Sequence, residues 1–348
     1  MKHTMRTHLR RLCACIALAI PPVHAAETDV TARFDASVSN GLPVTLSVHH
    51  RPAHADDGDE RAGSLTVNRK LPVEAVFPDG TTHVVYAGTL DGKEVVLTGS
   101  DDHIDIGDGG SASRRLSAID PPSKVRVRKS VDPTPVEGVR TLDVHFFLHD
   151  NLRERHTADD IHADYVAWWL KDMTDNVLPS MRIVVHYHQS EVEKAVTSHY
   201  YAAPHDITNL DMKNANALEL IAQRGSAWVR LVEQASETHM EKFVLLTGPA
   251  LPSGAYGLAY QGGSAAIASL DGSYRVVAHE VGHLLGAEHA DSAILYWGGW
   301  WCESNMYPHA FGLRSKCYAY TKENERRVRN YVIAGADVPF HERVVIEG

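Results

Sequence analysis

The sequence predicts an α+β protein: a smaller all-β domain over residues 26–119, then a larger domain over 139–348 that mixes strands and helices. Three observations carry this. Residues 28–119 read as short runs of alternating apolar and polar side chains parted by turn dipeptides. Residues 139–348 alternate β-rich runs with helical ones. Between them, residues 120–138 are proline-rich, basic and poor in apolar side chains, which is linker composition.

The chain opens with what reads as a signal peptide over residues 1–25. Lys2, Arg6, Arg10 and Arg11 form a positive start, residues 12–20 are apolar, and Val23-His24-Ala25 suits signal peptidase. The expected destination is secreted or periplasmic. The apolar run is too short to anchor in a bilayer, and no run of about 18 apolar residues follows, so no membrane span is expected.

In the first domain, Val44, Leu46 and Val48 alternate with polar residues, as do Leu65 and Val67. Residues 83–87 and 94–98 are β-rich, and Asp79-Gly80 and Asp91-Gly92 are turn pairs. No helix is predicted here. Two acidic runs, 56–60 and 101–108, are the places where Ca²⁺ could be sought. Neither fits an EF-hand pattern, and both read as solvated acidic loops.

The second domain opens with a strand at 142–148. A helix is predicted over 157–176, with Thr157 as N-cap, Asp159 and Asp160 in its first turn and Pro179 beyond its end. Residues 181–188 read as a strand, 215–237 as a helix and 243–247 as a short buried strand. Residues 256–270 are glycine-rich and β-like, 274–285 helical, and 321–333 a charged helix. His186 and His188 alternate along one strand; they read either as ordinary surface histidines or as ligands of a second metal.

Chemistry concentrates in His279-Glu280-Val281-Gly282-His283-Leu284-Leu285-Gly286-Ala287-Glu288-His289, an HExxHxxGxxH run. On a helix, His279 and His283 share one face, one turn apart. Glu280 stands about 100° round from His279, so it can flank a Zn²⁺ ion without ligating it and act as general base toward a water that zinc activates. Gly286 suits a left-handed helix end, which would bring His289 round as third ligand. Three protein ligands leave one position open, the mark of a catalytic zinc rather than a structural one. A buried amphipathic helix accounts for Val281, Leu284 and Leu285, but not for three histidines and a glycine at these spacings.

Four cysteines are present, and Cys13 and Cys15 fall inside the signal. The remaining pair, Cys302 and Cys317, reads as one disulfide in an oxidising compartment. Net charge is −10, and near −14 once the four positive charges of the signal are subtracted. An acidic chain without a basic patch argues against nucleic-acid partners.

Met306, in Ser304-Asn305-Met306-Tyr307-Pro308, follows His289 by 17 residues. With the extended histidine motif, this resembles the metzincin clan of zinc endopeptidases. The Met-Tyr-Pro wording and Gly282 are similar to the matrixins. Ala290 stands where matrixins usually carry serine, and matrixin cysteine-switch and structural-zinc segments are not seen, so no family is assigned.

The resemblance implies a metzincin-like catalytic domain, a mixed sheet with a zinc-site helix, with Met306 in a tight turn beneath the zinc, a hydrophobic floor rather than a ligand. It implies that Gly257, Ala259 and Tyr260 lie on a sheet edge above the cleft, where an extended peptide pairs by main-chain hydrogen bonds. A plain surface hairpin is the other reading of that segment. Trp297, Trp300 and Trp301 either wall a substrate pocket, stack on a sugar or pack in the core. Asp108, in Ile106-Gly107-Asp108, resembles the aspartate switch of astacin propeptides. The N-terminal domain is thus either a latency propeptide or a permanent targeting module.

The function expected from these features is a secreted zinc endopeptidase with one catalytic Zn²⁺ and a protein or peptide substrate. Two rivals are carried with it. A non-catalytic zinc-binding or adhesion protein on the same fold would have no use for Glu280. A zinc exopeptidase would show a blocked cleft end, whereas an open edge strand favours an endopeptidase. Oligomeric state is not readable from the sequence.

Overall fold

The computed structural model describes residues 30–50, 61–99, 104–107, 114–119, 141–152, 154–179, 181–189, 206–232, 239–297, 299–308, 313–334 and 344–347. The signal segment, the acidic run 56–60, Asp108 and the linker 120–138 lie outside them.

Six antiparallel strands come first: β1 (Val44–His50), β2 (Arg61–Val76), β3 (Thr82–Leu90), β4 (Lys93–Gly99), β5 (Ile104–Gly107) and β6 (Arg114–Ile119). Each pairs with the next in the ring β1-β2-β3-β4-β5-β6, and β6 returns to pair with β1, so they close a barrel. Closure leaves no free edge within the ring. Alternation fills the inside: Val44, Leu46 and Val48 meet Leu65, Val67, Leu97, Ile104 and Ile106 in one apolar core.

Two expectations fail here. The module is not all-β, because helix α1 (Val30–Ser39) precedes the strands. Its Val, Thr and Ser content gives weak helix propensity; Phe34, buried edge-on against Tyr86 with ring centroids 5.4 Å apart, ties it to the barrel core. The stretch 101–108 is not wholly a solvated loop, because Ile104–Gly107 is strand β5 with Asp105 buried. Ile104 and Ile106 point inward and carry the strand with them.

β2 is long and leaves the ring. After two register shifts its far end pairs in parallel with β8 (Arg182–His188), Val73 opposite Ile183. A second sheet region grows from there: β8 pairs with β7 (Thr141–Leu148), then come β9 (His239–Thr247), β11 (Ala265–Ser269) and β10 (Gly257–Tyr260). From β2 to β11 all neighbours run parallel; β10 is antiparallel to β11. Beyond β10 lies β15 (Val344–Glu347), again antiparallel.

Helices cover both faces, which is why β7 is buried throughout, as parallel strands usually are. On one face lies α2, a composite helix of Ala158–Ile161, a π-turn His162–Val166, Ala167–Asp172 and a second π-turn Met173–Val177. Thr157 caps it, exchanging bonds with Asp160 in a capping box. α4 (Val276–Leu284) and α5 (Lys322–Ala334) share that face, packing Val281, Leu284 and Val328 against Val144, Phe146 and Val185. On the other face α3 (Ala217–Val232) sets Ile221, Trp228 and Val229 over Phe147, Phe243 and Leu245.

The barrel's outer side joins the first of these cores. Leu71, Val73, Ala75 and Phe77 of β2 and the following turn, with Val85 and Val96, pack with α2. Gly107 sits so close to α2 that a Cβ there would meet the Ala163 carbonyl oxygen at 2.5 Å. Among the described residues no helix is long and apolar enough to cross a membrane.

Candidate metal centre

α4 carries His279, Glu280 and His283, all buried. The helix ends at Gly286, whose φ of +86° is the left-handed conformation a side chain disfavours. The chain then turns into the short 3₁₀ segment His289–Asp291. Two anchors on α5 hold that turn. Asn324 accepts a hydrogen bond from the Glu288 amide and donates to the Glu288 carbonyl, and Arg327 pairs with Asp291 and Glu288.

The three imidazoles meet tip to tip. Nε2 of His279 lies 3.1 Å from that of His283 and 3.0 Å from that of His289, and the last two are 2.9 Å apart. Their other nitrogens decide what this means. His279 Nδ1 donates to the Asn305 carbonyl at 2.7 Å, and His283 Nδ1 donates to Ala287 O and to Gln261 Oε1. In the neutral rings the Nε2 atoms of His279 and His283 therefore turn lone pairs inward. Lone pairs at this spacing repel unless a cation sits among them, and carbonyl-held imidazoles are the usual support of metal ligands. Nitrogen ligands at about 2.0–2.1 Å round a tetrahedral ion are roughly 3.3 Å apart, close to what is seen. The residues fit a metal ion, and these three histidines form a cluster able to hold one.

Glu280 faces β10. A Cβ built on Gly257 would lie 1.7 Å from Glu280 Oε1, so that glycine is where the edge strand passes directly over the carboxylate. Beneath the helix lies Met306, fully buried; a Cβ on Gly282 would come within 2.6 Å of its Sδ. Arg275, at the helix start, donates to Ser304 O at 2.6 Å, so the segment Ser304–Met306 is tied to α4 at both Arg275 and His279. Tyr320 Oη donates to the Ala278 carbonyl and receives Trp169 Nε1–H.

Cys302 and Cys317 form a disulfide, Cα atoms 5.0 Å apart. It links β13 (Trp300–Glu303), which pairs with β12 (Ile294–Trp297), to the residue after β14 (Ser315–Lys316). Glu303, fully buried next to that bond, gathers Lys316 at 2.6 Å, Arg275 at 3.4 Å and Arg314 at 3.5 Å.

One expectation about the cleft changes, and one alternative for Trp300 drops out. β10 exists with Gly257, Ala259 and Tyr260 on it, but its outer edge is not open: β15 pairs with all four of its residues. Non-local strand addition leaves no mark in the sequence near β10. Trp300 does not pack in the core; it and Trp301 are exposed, with Tyr296 edge-on to Trp301 on the same hairpin. Trp297's side chain and Asp108 lie outside the described residues.

His186 and His188 do not meet each other as ligands. His186 Nε2 bonds Asp143 and His188 Nε2 bonds His145, whose other nitrogen reaches Glu241 at 2.8 Å. Burial, then the neighbouring imidazoles His186 and His188, push His145 well below the usual histidine range, which favours its neutral form. Asp143, His239 and Glu241 form a second group of close ligand-type atoms.

Gln261, Asn305, Asn324 and Arg275 were not singled out by the sequence. Each is one polar residue whose partner is distant along the chain or offers only its backbone, and no spacing rule exposes such a residue.

No protein-family model matches the chain, and no curated protein matches it. Among solved structures it is similar to the crystal structure of metalloproteinase-II from Bacteroides fragilis, with a TM-score of 0.46 and 14% sequence identity over 86% of this chain and 94% of that one.

Proposed function

We propose that this protein is a secreted or periplasmic zinc-dependent endopeptidase with His279, His283 and His289 as metal ligands and Glu280 as general base. The observation that carries the reading is the convergence of three carbonyl- or turn-held imidazoles on the helix whose Glu280 lies directly under strand β10. A zinc ion there would polarise a peptide carbonyl and lower the pKa of a water toward ~7. Glu280 removes a proton from the attacking water and delivers it to the departing amine nitrogen. Met306 and the ties from Asn305 and Arg275 keep His279 in place. Main-chain pairing along β10, once its outer edge is free of β15, would extend the substrate across Glu280.

The N-terminal residues 26–119 act in this reading as a module that stays on the catalytic domain 139–348, since β2 is a strand of the catalytic sheet. The paired outer edge of β10 favours one second reading, a zinc-binding protein that hydrolyses nothing.

Glu280→Gln separates the two. The purified protein should hold one zinc by elemental analysis and cleave casein, with cleavage lost on chelation. The variant should keep zinc and fold while cleavage falls at least ~1,000-fold, the range expected for loss of an essential base. Unchanged cleavage would place the base elsewhere; no cleavage by either protein would favour the binding reading. His289→Ala should lose most of its zinc, and full zinc in that variant would refute the three-ligand assignment.

A further inference from the structure

The outer edge of β10 is the one feature that the proposed chemistry needs and the structure already uses. β15 runs antiparallel along it in register: Val344 opposite Tyr260, Val345 opposite Ala259, Ile346 opposite Leu258 and Glu347 opposite Gly257. This stretch is not remote from the chemistry. At one end Gly257 rests on the Glu280 carboxylate. At the other, Tyr260 is followed by Gln261, which receives the N–H of His283. β15 therefore covers β10 from the general base to the support of a metal ligand.

A strand edge presents one row of N–H and C=O groups and accepts one partner. β15 and an extended peptide cannot both pair there. A segment of the same chain competes intramolecularly, and a free peptide must overcome its effective concentration. A four-residue strand is also short enough to be displaced.

We propose that Val344–Glu347 is an intramolecular occupant of the substrate edge, so that the paired form is self-blocked and an extended peptide gains β10 only when this strand leaves. The proposal rests on the peptidase reading for its consequence, but not for its occupancy, and the two are separable by experiment.

Neighbouring residues of a strand turn their N–H groups to opposite sides, so Val345→Pro with Ile346→Pro removes whichever donor faces β10. A second variant ends the chain after Arg343. The probe is a fluorescein-labelled peptide of residues 341–348, and the substrate is labelled casein, both used with zinc-loaded full-length protein. Both variants should bind the probe at least ~10-fold more tightly than the parent. Amide exchange at β10 should rise in them and fall again when probe is added. Casein cleavage should rise at least ~10-fold, and the probe should compete with it. Equal probe binding by parent and variants, each shown folded by thermal melting, overturns the proposal. So does tighter probe binding with casein cleavage unchanged, because the strand would then lie off the substrate path. Tighter probe binding with no cleavage by any form, zinc being bound, upholds the occupancy and removes the peptidase reading instead.

Discussion

Gly257 has no room for a side chain because the carboxylate of Glu280 occupies the place where its Cβ would stand, 1.7 Å from Oε1. The obstacle is the far end of a flexible side chain, so Gly257→Ala can be accommodated by swinging the carboxylate aside. Stability should change by less than about 1 kcal/mol, whereas hydrolysis should fall at least ~10-fold because the base is displaced. Zinc content should not change. A variant with parental activity would mean that Glu280 works from another rotamer than the one seen here.

Gln261 predicts a different split. Its Oε1 accepts from His283 Nδ1 at 2.9 Å while its Nε2 donates to Ala287 O, the second acceptor of the same histidine. Gln261→Leu leaves one acceptor in place, so the histidine keeps its tautomer but loses part of its orientation. Zinc affinity, measured by competition with a chelator, should weaken about 10-fold, the lower end of what supporting groups contribute. Affinity equal to the parent's would make the glutamine a loop anchor only.

These residues mark where sequence reading stops. The HExxHxxGxxH run is legible because helix periodicity and the left-handed preference of Gly286 are local rules. The succession of β7, α2, β8, α3, β9 and α4 is legible for the same reason, with β10 and β11 read together as one β-like stretch. Pairing is not local. Nothing in Val73–Val76 announces that it will lie parallel to β8, and nothing in Val344–Glu347 announces β10. α1 escaped because a poor helix former is held by tertiary packing of Phe34 and Val38 on the barrel core.

Asp172 gives a dependence on pH. It is buried on α2, accepts from Asn176 at 2.8 Å and from the Tyr320 amide at 3.3 Å, and its carboxyl is raised to about 6, first by burial and then, as the second raising influence, by Glu325; Lys171 pulls the other way. A raised carboxyl binds its proton more tightly folded than unfolded. The folded state is therefore favoured by acidification from about 6 toward the unfolded value of 3.8, and disfavoured above about 6. Asp172→Asn, which keeps an acceptor for Tyr320, should raise the melting temperature at pH 7.5, by the equivalent of at most about 3 kcal/mol, and the gain should vanish near pH 4. Comparing both proteins free of metal keeps the histidine ligands out of the difference. A gain independent of pH would point to packing rather than charge.

The barrel and the parallel sheet that continues from β2 should stay together even when the chain between them is cut. Leu71, Val73, Ala75 and Phe77 sit in the same core as α4, Arg182 reaches Glu74 at 2.6 Å, and His162 on α2 bonds Thr98 of β4 at 2.9 Å and Tyr187 at 2.8 Å. Stripping the barrel away would expose that apolar surface and the edge of β8. Brief trypsin treatment, aimed at the basic residues 124–129, should give two bands on a denaturing gel and one peak on gel filtration at neutral pH. The association should weaken on acidification. Burial holds His162 down to about 3, so between the usual 6.5 and that value the released form takes up a proton the docked form refuses. Two separate peaks at neutral pH, with the fragment from 139 onward soluble and monomeric, would show that the N-terminal module is a removable propeptide rather than a lasting part of the sheet.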